Sequence, residues 1–216
     1  MAGMIWLAID TTGANCTVAL RLDGGATRVA SEAIGRGHAE RLAPMVKQLL
    51  ADAMVETRDI ARIGVTIGPG SFAGTRVGVA FARGLALACG ASCVGLSNLA
   101  VLARQADKRT PLAVLHDAKR GEVIFQVWSD AGVSAPERRN VADLPERLEQ
   151  LAGAGIAVTG SGAACLPDRF PNLGMVELDP AVMLAMTGEL DPANHPPSPF
   201  YARPPDAKLP GGVEPA

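Results

Sequence analysis

A chain of 216 residues buries roughly 70% of the surface its unfolded form exposes, enough for one large core or two modest ones. Hydrophobic residues make up 48% and aromatics only 4%, so the core must be built from Ala, Val, Leu and Ile. A net charge of −2 leaves no basic field to draw the chain to nucleic acid on its own, and the apolar runs are broken by Gly, Arg or Asp short of a membrane span. The start, Met1-Ala2-Gly3-Met4-Ile5-Trp6, lacks the basic opening and apolar run of a secretion signal. The four cysteines (Cys16, Cys89, Cys93, Cys165) show no Cys-x-x-Cys spacing, so the expectation is a reduced, soluble, cytoplasmic protein.

In chain order, Met4 to Asp10 reads as a buried strand ending in a carboxylate. Asp10-Thr11-Thr12-Gly13 turns it into a strand from Cys16 to Leu22. Asp23-Gly24-Gly25 makes a hairpin to a third strand, Thr27 to Ile34. His38 to Ala53 keeps the helical period in Leu42, Met45, Val46, Leu49 and Leu50, with Pro44 tolerated near the helix start. A strand from Ile60 to Gly68 follows, then a helix from Ser71 to Ala88, a strand from Ser92 to Leu96, and a helix capped by Ser97 that runs to about Ala106. Beyond a boundary near Asp107 to Thr110, strands are predicted at Pro111–Ala118, Glu122–Trp128 and Val133–Asn140. A helix from Asp143 to Ala152, a strand from Ile156 to Thr159 and a helix from Ala181 to Leu190 complete the pattern. The tail from Pro192 is proline-rich and reads as extended over the surface.

The helix after Gly68-Pro69-Gly70-Ser71 stands out in composition. Val77, Phe81 and Leu85 form an apolar stripe, and Gly74, Gly78 and Ala82 form a second, smooth stripe at the same spacing. Each internal glycine costs about 1 kcal/mol against alanine, so the smooth stripe calls for a compensating close approach of another backbone. The expectation drawn from it is a second protein lying against Gly74, Gly78 and Ala82. The loop itself reads first as a tight turn whose Ser71 caps the helix, and second as an anion cradle. The Gly-Lys-Ser/Thr ending of a phosphate loop is absent.

Catalytic groups are sparse. His38, His116 and His195 are far apart and none forms a paired metal-ligand motif. Ser71 has no histidine within its segment, and Cys16 falls inside a predicted strand, so neither reads as an activated nucleophile. His38 reads equally well as a helix-start residue and as an interface contact.

Three meandering strands followed by helix, strand and helix resemble a ribonuclease H-like unit. The pattern occurs twice, the second time more weakly. The fold class expected is α/β: two tandem ribonuclease H-like units of the actin, sugar-kinase and chaperone ATPase (ASKHA) superfamily, with mixed sheets flanked by helices. Residues 1–107 would form the N-terminal unit with the partner-binding helices, and 108–216 a smaller degenerate unit with the proline-rich tail. Asp10-Thr11-Thr12 resembles that superfamily's first phosphate loop. Asp117-Ala118-Lys119-Arg120-Gly121, in the place of the second loop, carries bulky side chains, and Gly160-Ser161-Gly162 resembles a remnant of the adenosine turn.

Several blocks together resemble one family. Leu7-Ala8-Ile9-Asp10-Thr11-Thr12, His38-Ala39-Glu40-Arg41-Leu42-Ala43-Pro44, the run Gly68 to Gly78, Asp117 to Val123 and Tyr201-Ala202-Arg203 are similar to the bacterial TsaB (YeaZ) family. Ala73 and Thr75 stand where that family usually has Thr and Leu. The resemblance implies a part in making N6-threonylcarbamoyladenosine at position 37 of tRNAs that read codons starting with A. It implies a non-catalytic subunit that pairs with TsaD, the catalytic relative, is joined by the ATPase TsaE, and works after TsaC has made the threonylcarbamoyl-adenylate. ATP would be used by the complex and not held by this chain, tRNA would be met only through the complex, no membrane would be involved, and the chain alone would form a homodimer. The partner interface it implies comprises His38, Arg41, Leu42, Met45, Ser71, Gly74, Thr75, Gly78 and Ala82. The alternative is a small-molecule kinase or ATPase of the same superfamily.

Overall fold

The computed structural model describes residues 4–106 and 111–201. The first half contains β1 (Ile5–Asp10), β2 (Asn15–Arg21), β3 (Thr27–Ala33), α1 (His38–Asp52), β4 (Ile60–Gly68), α2 (Phe72–Cys89), β5 (Ser92–Ser97) and α3 (Asn98–Gln105). The strands form a sheet in the order β3-β2-β1-β4-β5, antiparallel across the meander and parallel from β1 through β4 to β5. β1 is central and covered on both faces, which is why its run Leu7-Ala8-Ile9 is apolar without alternation and fully buried. On one face α1 and α2 bury Leu42, Met45, Val46, Leu49 and Val79 against Leu7, Ile9, Val18 and Val65.

The second half contains β6 (Leu112–Lys119), β7 (Glu122–Ser129), β8 (Gly132–Val133), β9 (Glu137–Asn140), α4 (Leu144–Ala152), β10 (Ala157–Thr159) and α5 (Pro180–Glu189). β10 runs parallel to β6, and β7 pairs antiparallel with β6, β8 and β9. This repeats the connectivity of the first sheet, with the fifth strand reduced to one parallel bridge between Val158 and Asn172. The two mixed sheets with flanking helices agree with the fold class expected. The predicted strand Val133–Asn140 is two pieces. Pro136 has no N–H to give a ladder, and the Ser134 side chain accepts from Val127 N–H in place of backbone. The boundary expected at Asp107 to Thr110 lies outside the described residues.

α5 differs from expectation in where it packs. The sequence pattern groups it with residues 108–216, yet it lies on the open face of the first sheet. Met183, Leu184 and Met186 are buried there with Ala8, Ala19, Val94 and Leu96. Two glycines make room: a Cβ on Gly188 would run into the Trp6 indole, and one on Gly64 into the Thr187 side chain. The helix is apolar all round, so it needs cover on several sides, and the first sheet together with α3 provides it. α3 joins the halves: Leu99, Leu102 and Ala103 pack on Leu112, Val114 and Ile124 of the second sheet, while Val101 packs beside α5.

The tail expected to be extended from Pro192 first turns at Pro192–Asn194, with Asn194 and His195 N–H donating to the Asp191 carbonyl. Only then does it run as a strap along the first half through residues 196–201; the rest of it lies outside the described residues. Gly95 N–H donates to the His195 carbonyl (2.9 Å), and Phe200 N–H donates to the Ile67 carbonyl (2.8 Å). Gly95 is required for this approach, because a Cβ there would sit 2.6 Å from the Pro196 oxygen. Tyr201 ends the described segment; Ala202 and Arg203 of the family-like motif lie outside it.

Candidate partner interface

The turn after β1 is drawn tightly onto the start of α2. Asp10 is buried, and its Oδ1 accepts from Thr12 N–H (2.9 Å), Thr12 Oγ1 (2.6 Å) and Thr66 Oγ1 (2.7 Å). Thr12 Oγ1 accepts in turn from Asn98 Nδ2 (2.6 Å), and Asn98 also holds Gly68 N–H and the Pro69 carbonyl. Thr11 Oγ1 donates to the Gly74 carbonyl (2.7 Å), and Ser71 N–H donates to the Thr12 carbonyl (2.7 Å). The residues resembling a phosphate loop thus have partners within the chain: the Thr11 hydroxyl on backbone, the Thr12 hydroxyl on the Asp10 and Asn98 side chains. Ser71 is the N-cap of α2, its hydroxyl accepting from Gly74 N–H at 3.2 Å.

The smooth stripe does not face a second protein. Gly74, Gly78 and Ala82 are buried inside the molecule. A Cβ on Gly74 would run into the Thr11 carbonyl oxygen, and one on Gly78 into Thr11 Oγ1, with Val65 behind it. The compensating backbone that the glycines admit is the β1–β2 turn. The correction extends to other residues named for the interface. Leu42 and Met45 face the sheet, Thr75 is buried with its hydroxyl on the Ser71 carbonyl, and His38 is buried with Nε2 3.3 Å from the Asn15 carbonyl oxygen. The physical reason is the same throughout: small and apolar faces are first needed for the chain's own core. Of the set, only Arg41 and Ser71 are exposed. Arg41 forms a bidentate pair with Glu32 (2.6 and 2.5 Å), and its hydrogen bonds hold that carboxyl below its ordinary range.

What α2 does present outward is a third face, made of Phe72, Ala73, Arg76, Ala80, Arg83, Gly84 and Leu87, all exposed. Leu87 is 87% exposed and Phe72 57%. No atom lies within 4 Å of a Cβ built on Gly84. By length and composition alone α2 could cross a membrane, but its inner face is packed on β4. Beside it, α1 exposes Ala39, Ala43, Lys47 and Ala51, and a groove of about 520 Å³ runs between the helices over Ala43, Lys47, Phe81 and Leu85. Contiguous exposed apolar and small side chains of this kind mark contact surfaces.

Comparison with known proteins follows the same lines. Residues 24–158 match the family model described as TsaD, tRNA N6-adenosine threonylcarbamoyltransferase. The tRNA threonylcarbamoyladenosine biosynthesis protein TsaB of Escherichia coli is 33% identical over 195 residues, covering 86% of this chain and 84% of that protein. The chain belongs to the TsaB family. A crystal structure from Pseudomonas aeruginosa, described as an uncharacterized protein with similarity to peptidase YEAZ, superposes with a TM-score of 0.74 at 28% identity, covering 93% of this chain and all of that one. A tRNA N6-adenosine threonylcarbamoyltransferase of Erythrobacter litoralis is 37% identical over 92 residues, 40% of this chain and 27% of that protein.

In this TsaB-family chain the second loop is also tied to itself. Asp117 accepts from Lys119 N–H (2.8 Å) and Nζ (2.6 Å), which holds its carboxyl below the ordinary range. Gly160 and Gly162 sit on β6, where a Cβ on Gly160 would run into the Leu115 carbonyl. Burial pushes the His116 imidazole below its ordinary value, and its Nδ1 lies 3.4 Å from Ser161 Oγ. Among the described residues no cluster of three or more His, Cys, Asp or Glu could hold a metal ion. The sequence reading missed Phe72, Arg76, Ala80, Gly84 and Leu87. Their signal was there: a third stripe at helical spacing, distinct from the two identified.

Proposed function

We propose that this chain is a non-catalytic TsaB-type subunit of N6-threonylcarbamoyladenosine formation at position 37 of tRNAs that read codons starting with A. It pairs with a TsaD-like transferase through the outer faces of α1 and α2, and a TsaE-like ATPase joins the pair. The observation that carries this reading is the exposed, apolar and small-residue outer face of α2, on a fold whose first and second loops are hydrogen-bonded to their own chain. Alone, in the cytoplasm, the chain self-associates through the same face. The kinase or ATPase reading has less support, since the hydroxyls that would meet a phosphate have internal partners.

The test is co-purification with a TsaD-like protein. Ala80→Glu and Gly84→Leu should abolish association while the melting temperature stays near that of the parent. Gly78→Leu should instead damage the fold. Normal stoichiometry of the Ala80→Glu complex would show that α2 turns this face to solvent for another reason.

A further inference from the structure

α2 carries two charged side chains, Arg76 and Arg83, both positive and both on the outward face. They are seven residues apart, two helical turns or about 10.5 Å along the axis. Neither forms an ion pair among the described residues. Arg76 also meets Tyr201, the last described residue of the strap. Its guanidinium carbon lies 3.9 Å from the centre of the Phe72 ring and 5.4 Å from that of Tyr201, and its Nε donates to Tyr201 Oη at 3.0 Å. The two rings are 5.6 Å apart. A flexible cation is thereby fixed by its Nε edge and its flat face, and its Nη donors have no ion-pair partner among the described residues. Arginine and tyrosine so held are favoured as energetic centres of interfaces, because little freedom remains to be lost on binding.

We propose that Arg76, set in place by Phe72 and the strap residue Tyr201, is the anchor that receives a carboxylate from an acidic helix of the partner subunit, with Arg83 meeting a second carboxylate two turns along. The C-terminal strap is then a working part of the interface. The partner chemistry follows from the face itself. Ala73, Ala80 and Gly84 beside the arginines admit a close-packed helix, and the charge without an ion-pair partner among the described residues is positive. This rests on the pairing with a TsaD-like subunit proposed above.

The experiment measures affinity of the purified full-length chain for the purified TsaD-like subunit by calorimetry, with tRNA binding and self-association followed in parallel. Arg76→Glu should weaken the heterocomplex roughly thirtyfold or more, as loss of one member of a desolvated charge pair does. Tyr201→Phe, which keeps the ring and removes only the hydroxyl, should weaken it about two- to tenfold. Arg76→Gln should fall between the parent and Arg76→Glu, and each variant should melt with the parent. If the parent binds and Arg76→Glu binds equally well, the anchor assignment is wrong while the pairing stands. An effect seen only on tRNA would assign Arg76 to a phosphate, and an effect only on self-association would assign it to a second copy; either overturns the proposal. No binding by the parent would overturn the pairing and the anchor together.

Discussion

Glycine-to-alanine changes at two positions of α2 should have opposite signs. At Gly84 the added methyl meets open space, so the change removes only the helix cost of glycine and should stabilise by about 0.5–1 kcal/mol. At Gly74 the same gain is available, but the methyl runs into the Thr11 carbonyl oxygen. The obstacle is backbone, so the β1–β2 turn must move. Overpacking of that kind costs about 1–3 kcal/mol. Moving the turn also strains the Thr11 hydroxyl bond to the Gly74 carbonyl, a further cost of about 1 kcal/mol. The net at Gly74 is a loss of about 1–3 kcal/mol. Urea unfolding followed by circular dichroism reads both changes. In thermal melts each kcal/mol corresponds to about 2–4 °C for a domain of this size. Gly74→Ala melting with or above Gly84→Ala would refute the close approach of α2 to the turn, and with it the argument that the smooth stripe is internal.

Asp10→Ala should cost about 3 kcal/mol or more, since three donors converge on one buried oxygen, and Asp10→Asn should cost less because an acceptor remains. Burial pushes the Cys16 and Cys93 thiols up to about 11, so a thiol reagent at pH 8 should label exposed Cys165 first and these two only on unfolding. His116 is lowered in the folded chain, so the unfolded chain binds the extra proton first. Its contribution to stability is therefore complete above the ordinary imidazole value of about 6.5 and declines as pH falls below it. Asp117 opposes that shift and Lys119 reinforces it; His116→Asn should flatten the stability profile on the acid side of about pH 6.5. Gly95→Val should dislodge the strap, seen as faster proteolysis near Pro196, because its side chain would occupy the space of the Pro196 carbonyl.

Element positions were largely legible because hydrophobic period and turn residues act locally. The ends of β4 and the caps at Ser71 and Ser97 are where the sequence places them. Orientation was not legible in the same way. Periodicity states which residues share a face, and Gly74, Gly78 and Ala82 do share one; it does not state whether that face looks inward. A bare stripe suits a foreign backbone and an internal one equally, and here the β1–β2 turn took it. The placement of α5 was hidden for a related reason. Its sequence demands cover but names no sheet, and only the glycine gaps at Gly64 and Gly188 show which surface accepts it. The strap left a faint trace, Gly95 inside a strand, whose meaning depends on a segment a hundred residues away.

The route of the chain back over its own beginning bears on how it is made. Until α5 emerges, Ala8, Ala19, Val94 and Leu96 have no lid, and the whole second sheet is translated in the interval. The growing polypeptide therefore carries an oily wall while the second sheet is made, and closure comes from contacts far apart in the sequence, the slowest kind to form. A nascent fragment ending at residue 106 should stick to chaperones, and one extended through residue 201 should let go.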